Sequence, residues 1–257
     1  MKRLQYFALF IVLLLSACGS MPGISPTATL SPEPTPTFTP LPSETPTPVP
    51  TATRDIAATV AAQQTQTASD ALGDLDKILG ESDIPYKDGK LIWQEDKPIT
   101  VSLSGPDGKY VDVDEKLTAS NFILKSDVTW SATGIIVCGM TFRSEPNLAE
   151  GKQYKFLYMR LSGLPAWAIE VHEFGRFKNS PTTVKYSDAL NQANDATNQF
   201  VLVAQDEKFT VYINAVRQGR FFDNSKQRTE GYFAFLGFQD SGKGSCVFEN
   251  SWVWELK

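Results

Sequence analysis

From Phe122 to the C-terminus, apolar residues recur at every second position. Phe122, Leu124, Val128 and Trp130 alternate with Ile123, Lys125, Asp127 and Thr129, the mark of a strand with one buried face. The period returns in Ile135–Arg143, Tyr154–Leu161, Trp167–Phe174, Phe200–Ala204, Phe209–Ile213, Tyr232–Phe238 and Cys246–Leu256. Asp88-Gly89 and Asp107-Gly108 supply turn chemistry between shorter strands nearer the front. No long amphipathic helix separates these segments, so an all-β, antiparallel two-sheet sandwich or a barrel is expected. The roughly 170 residues from Ile84 onward suffice for one such core.

Upstream the pattern breaks three times. Phe7–Leu15 is apolar throughout, follows Lys2-Arg3 and runs into Leu15-Ser16-Ala17-Cys18, which makes residues 1–17 a secretory signal peptide. The run falls short of the ~20 residues a spanning helix needs. A cysteine at the cut resembles a bacterial lipoprotein signal. That resemblance implies acyl chains on Cys18, a membrane partner through that lipid, and a domain on the extracytoplasmic side. Residues 18–53 follow, with ten prolines and nine threonines between Pro22 and Thr53. Such a segment cannot bury enough apolar surface to fold and is expected to be a disordered, extended stalk. Residues 54–83 shift to Ala, Gln, Thr and Asp. They read as a linker in which Ser69 caps a short helix, with Leu72, Leu75 and Leu79 on one face and Gly80 as its stop. The folded domain is expected over 84–257.

Export changes how charge and cysteine read. The chain carries 24 Lys+Arg against 29 Asp+Glu; without Lys2 and Arg3 the balance is 22 against 29, with no basic run. Nucleic acid is therefore not expected as a partner. With Cys18 lipidated, Cys138 and Cys246 remain, and outside the cytosol two leftover cysteines pair. Two buried free thiols are the alternative.

The order of motifs resembles a known family. Asn121-Phe122-Ile123-Leu124 opens a strand through Asp127-Val128-Thr129-Trp130, and Cys138-Gly139-Met140-Thr141-Phe142-Arg143 follows. Then come Tyr154-Lys155-Phe156-Leu157, Phe209-Thr210-Val211-Tyr212-Ile213-Asn214, Asp223, and a closing Val247-Phe248-Glu249-Asn250. The pattern is similar to the concanavalin A-like lectin/glucanase jelly roll, nearest its laminin-G-like and 3-keto-disaccharide-hydrolase-like branch. It covers Ile84 to the C-terminus and implies a jelly-roll sandwich. One departure stands out: the usual Asn-Gly hairpin is Asn214-Ala215 here, and the cost of a positive φ to alanine points to another turn type.

The chemistry is sparse. Glucanases of this fold place carboxylates at i, i+2 and i+4 of one strand. The nearest match, Glu170-Val171-His172-Glu173, puts its two glutamates on opposite faces, which argues against that mechanism. His172 is the only histidine, so a His-rich zinc centre is excluded, and no G-x-S-x-G elbow exists for a serine triad. Gly237–Gly244 nearly spells a phosphate-binding loop but lacks its Ser or Thr and precedes a strand, so it reads as a hairpin. Asp112-Val113-Asp114-Glu115 reads as an exposed strand end rather than a calcium loop. No cofactor and no metal are implied. Trp252 and Trp254 share a strand face with Phe248 and Leu256, and Trp130 goes with Val128 and Leu124, so all three are assigned to the core. The carbohydrate candidates are Arg143, Tyr158, Arg160 and Trp167 as one sheet face, with Glu170 and His172 sharing another. The expectation is a non-catalytic, lipid-anchored domain that binds glycan or cell-wall polysaccharide. A glycoside hydrolase and a protein-binding module are the alternatives.

Overall fold

In the computed structural model the described residues are 56–257, with side chains from 59 onward. The signal peptide, Cys18 and the Pro/Thr-rich segment lie outside them. One helix, α1 (Ile56–Leu79), precedes fifteen strands. The first eight are β1 (Lys90–Gln94), β2 (Ile99–Ser104), β3 (Asp107–Asp112), β4 (Thr118–Ala119), β5 (Phe122–Ala132), β6 (Ile136–Ser144), β7 (Gln153–Leu161) and β8 (Leu164–Glu173). The rest are β9 (Arg176–Asn179), β10 (Lys185–Tyr186), β11 (Thr197–Gln205), β12 (Lys208–Ile213), β13 (Val216–Phe222), β14 (Gly231–Gln239) and β15 (Lys243–Glu255).

Two antiparallel sheets form the jelly-roll sandwich. Sheet A runs β1-β15-β5-β11-β12-β13, with β2 also on β15. Sheet B runs β10-β8-β7-β6-β14-β3, with β4 on β14 and β9 on β8. The alternating residues do what their period requires. Phe122, Leu124, Val128 and Trp130 of sheet A meet Phe142, Phe156 and Phe235 of sheet B in one buried core. Cys138 of β6 and Cys246 of β15 are disulfide-bonded across that core, with Cα atoms 5.8 Å apart. Gly237 makes room for the bridge: a Cβ there would lie 3.3 Å from the Cys246 Sγ and 3.0 Å from Val101.

Three local expectations need correction. The helix is longer than the one expected from Ser69, which sits in its middle rather than at its cap. Alanine and glutamine are good helix formers, so the Ala/Gln/Thr run continues the helix upstream. Gly80 does mark its end, its N–H bonding to Asp76 O at 3.1 Å. Nor is the region only a linker. Ala71, Leu75 and Leu79 are buried on the outer face of sheet A against Ile123, Val201, Val203, Tyr212, Trp252 and Trp254.

Those tryptophans are the second correction. Both are buried, yet they do not share a face with Phe248, which lies between the sheets. The register of β15 on β5 shifts between Glu249 and Trp252, and Asn250 takes a φ of 50°. Such a bulge reverses the parity of everything after it. Val253 therefore enters the inter-sheet core, while Trp252 and Trp254 turn outward under the helix.

The third concerns the turn between β12 and β13. Asn214 and Ala215 both have positive φ, 49° and 63°. This is the primed two-residue hairpin that Asn-Gly normally makes, with alanine in the glycine position. Asn214 anchors it: its Nδ2 donates to Ala189 O at 2.6 Å and its Oδ1 accepts from Gln199 N at 2.7 Å.

Candidate functional site

The aromatic face expected to carry ligand is the inside of the sandwich. Tyr154, Phe156 and Tyr158 of β7 point toward sheet A, and Trp167 of β8 joins them. Tyr158 stacks on Phe200 with centroids 3.7 Å apart, and burial pushes its hydroxyl well above the ordinary tyrosine pKa. Trp167 meets Phe221 edge-on at 5.4 Å. Neither residue can reach a ligand outside.

Arg143 is buried as well, held at the sandwich end with a φ of 47°. Its Nε and Nη2 donate to Ser120 O at 3.0 and 2.6 Å, and its Nη1 donates to Asp206 O at 2.7 Å. Burial lowers its pKa, against the raising effect of Tyr154, Asp206 and Asp223 nearby. Tyr154 donates to Asp223, and Arg228 ties the same corner by donating to Arg143 O at 2.7 Å. A cleft of about 280 Å³ opens there. Every group in this network is committed to holding loops, so Arg143 is a structural residue. Arg160 likewise donates to the turn carbonyls of Ala132 and Gly134 and to Asn194 Oδ1. Four of the six carbohydrate candidates thus serve the scaffold.

Glu170 and His172 lie elsewhere, on the outer face of sheet B. Strand pairing aligns rows of side chains across that face. One row runs Asp112, Ala234, Thr141, Lys155, Glu170 through β3, β14, β6, β7 and β8. The next runs Tyr110, Leu236, Gly139, Leu157, Ala168, and a third runs Phe238, Val137, Met159, Ala166, Tyr186. The apolar rows form a separate small cluster in which Leu157, Met159, Ala166, Ala168 and Leu236 are buried. Their centre is low, built from Gly139, Ala166 and Ala168. Tyr186 and Phe238, 65% and 47% exposed, stand at the margins. Phe177, exposed on β9, approaches His172 edge-on at 6.1 Å.

The polar part of this face is under-satisfied. His172 Nε2 and Glu170 Oε2 are 2.7 Å apart, but His172 Nδ1 has no partner among the described residues. The buried Thr141 Oγ1 and Gln153 Oε1 also lack one. Such atoms are not confined to this face: among the described residues Tyr158 Oη and Trp167 Nε1, inside the sandwich, lack partners too. Lys155 Nζ donates to the Tyr110 hydroxyl at 2.6 Å. Glu173, on the other parity, instead receives Lys152 and Lys178 at 3.3 and 3.1 Å. Thr141, Lys155 and Tyr110 went unrecognised in the sequence. The signal was present in β7, where Gln153, Lys155, Leu157 and Met159 occupy the positions between the aromatic ones.

No protein-family model and no curated protein sequence matches the chain. Among solved structures it is similar to carbohydrate binding module CBM66 from Bacillus subtilis, at 18% identity over 58% of this chain and 82% of that one, with a TM-score of 0.43. It is similar to sheep galectin-11 at 10% identity, covering 59% and 98% of the two chains, with a TM-score of 0.40. A Bacillus licheniformis β-glucanase is 9% identical over 62% and 79%, with a TM-score of 0.45. Likenesses this distant carry no argument about ligand or chemistry, and the fold stands on its own strand pairing.

Proposed function

We propose that this protein is an exported, lipid-anchored glycan-binding module whose ligand lies along the outer face of sheet B. The observation that carries the reading is the pairing, on one sheet face, of an apolar floor with a polar row, flanked by the exposed rings of Tyr186, Phe177 and Phe238. A pyranose ring presents apolar C–H surface beside hydroxyls that both donate and accept. Leu157, Met159 and Leu236, which keep a little open surface, match the first; Lys155, Glu170 and His172, which keep some as well, match the second. Tyr186 and Phe177 at the margin are placed to stack on neighbouring sugars.

The reading is non-catalytic. Glycoside cleavage uses two carboxyl groups roughly 5–9 Å apart across the bond. On this face Glu170 is hydrogen-bonded to His172, and the other carboxylate of its row, Asp112, is four strands away. The sequence from Lys2 to Cys18 supports export and a lipid tether, and the Pro/Thr-rich segment supports display away from the membrane.

A glycan array probed with residues 54–257, keeping α1, tests the reading. Saccharide binding that the double variant Phe177→Ala and Tyr186→Ala weakens tenfold or more, with melting unchanged, is the expected result. An array on which nothing binds, or binding indifferent to loss of both rings, overturns it. Appearance of reducing ends from a bound polymer would overturn the non-catalytic part alone.

A further inference from the structure

Two lysines are buried among the described residues, and they are treated differently. Lys125, on the outer face of sheet A, has Asp127 at 3.2 Å and Asp74 of α1 at 3.8 Å. Lys155, 8% exposed on the outer face of sheet B, has no carboxylate within 4 Å among the described residues. Glu170 is directly opposite it in the pairing, but Glu170 Oε2 is engaged by His172. Of the other cations on this sheet, Lys152 pairs with Glu173 and Arg228 with Glu145, while Arg143 and Arg160 are each held by three neutral oxygen contacts. A buried ammonium without a counter-charge is costly, and proteins ordinarily supply one.

What surrounds Lys155 is a set of donors. Its Nζ donates to the Tyr110 hydroxyl, which leaves the phenolic hydrogen free to donate onward, and it lies 5.2 Å from that ring's centroid. An ammonium with spare hydrogens and a phenol meet beside the apolar floor. A group that only accepts hydrogen bonds and carries negative charge satisfies both.

Resting on the glycan reading above, we propose that the saccharide bound on this face is acidic, with its carboxylate or sulfate received by Lys155 and Tyr110. The ring carrying it then lies over Leu157. A lone ion pair to an exposed lysine would be weak; here the lysine is already desolvated, so the anion meets little competing water.

The test uses the full mature chain made soluble by Cys18→Ser, titrated calorimetrically with matched polymer pairs. These are polygalacturonate and its methyl ester, hyaluronan and its carboxyl-reduced form, and a sulfated galactan and its desulfated form. At least one acidic member is expected to bind tenfold or more tighter than its neutral partner, and which pair responds separates carboxylate from sulfate. Lys155→Met, which fills the same volume, is expected to erase that difference. Tyr110→Phe, which removes one oxygen, should reduce it several-fold and covers the case in which Lys155→Met fails to fold. Neutral members binding as tightly as acidic ones, or Lys155→Met retaining the preference, would sink the acidic assignment and leave glycan binding intact. If no member binds, and a neutral array is also blank, the glycan reading itself falls and takes this one with it.

Discussion

Cys138 and Cys246 are 108 residues apart in sequence and bonded across the two sheets. The bond ties the third-from-edge strand of one sheet to the strand that closes the other, so it constrains most of the chain between. A loop of that length loses chain entropy worth about 4–5 kcal/mol in the unfolded state. The double variant C138A/C246A is expected to lose stability of that order in urea unfolding, and reductant should no longer affect it. A loss below about 1 kcal/mol would mean the unfolded chain is compact without the bridge.

The helix is expected to be needed for solubility of the sandwich. Leu75 is wholly buried between α1 and sheet A, and Asp74 beside it reaches Lys125. Leu75→Ala should cost about 2–5 kcal/mol. Deleting residues 56–80 uncovers Trp252, Trp254 and Tyr212 together, an apolar patch that should bind a hydrophobic dye and drive association. A monomeric, dye-negative deletion variant would show that the helix is dispensable.

The sandwich was legible in the sequence because alternation records burial directly, and the eight strands expected from Phe122 onward lie within a few residues of their places; β13, with two arginines, a glutamine and a glycine in seven residues, has no such period and was missed. What alternation cannot show is which side of the sheet a buried stripe faces. Tyr158 and Trp167 have the same period whether they face sheet A or solvent, and their size made them look like a ligand platform. The opposite stripe of β7, with Lys155, carries no aromatic ring and drew no assignment. The bulge at Asn250 hid the exit of Trp252 and Trp254 from the core, because a single extra residue leaves the local period intact on both sides. Arg143 was misread for a different reason: its three hydrogen bonds go to two carbonyls of distant turns, those of Ser120 and Asp206. No residue pattern marks a carbonyl.

Ala215 is an opportunity for stabilisation. Its φ of 63° costs alanine conformational energy that glycine does not incur, and Asn214 already fixes the turn. Ala215→Gly is expected to raise stability by about 1 kcal/mol and the melting temperature by a few degrees. Ala215→Val should lower both. Equal melting of the three proteins would show that the turn relaxes to another type in solution.

Asp223 and Glu95 should shape stability at opposite ends of the acid range. Burial pushes Asp223 up, but donors from Ser225 and Tyr154 and the N–H groups of Ser225 and Gln227 outweigh it and hold the carboxyl below its ordinary 3.8. An acid depressed on folding contributes stability that is complete above the unfolded value and is lost as pH falls through the folded one. Asp223→Asn should therefore be destabilising at pH 7, with the deficit narrowing below pH 3.8. Chemical unfolding of both proteins at pH 7 and at pH 3 would check this. A deficit equal at both would assign the loss to packing.

Glu95 works the other way. Burial raises its carboxyl above the ordinary 4.5, only partly offset by bonds from Ser251 and Asn250, and the Glu249 charge adds to the rise. Its Oε2 is buried without a partner. The folded state therefore holds the proton more tightly than the unfolded one, so stability falls as pH rises from 4.5 through the folded pKa, and at neutral pH the full penalty is present. Glu95→Gln removes the charge and should stabilise the domain at pH 7. Below pH 4.5 wild type is itself protonated there, so the advantage should shrink to whatever the amide gains or loses in hydrogen bonding. Melting curves of both proteins from pH 4 to pH 8 give the difference directly. An advantage that does not change with pH would show that the carboxylate is solvated in the folded state and that Ser251 alone sets its behaviour.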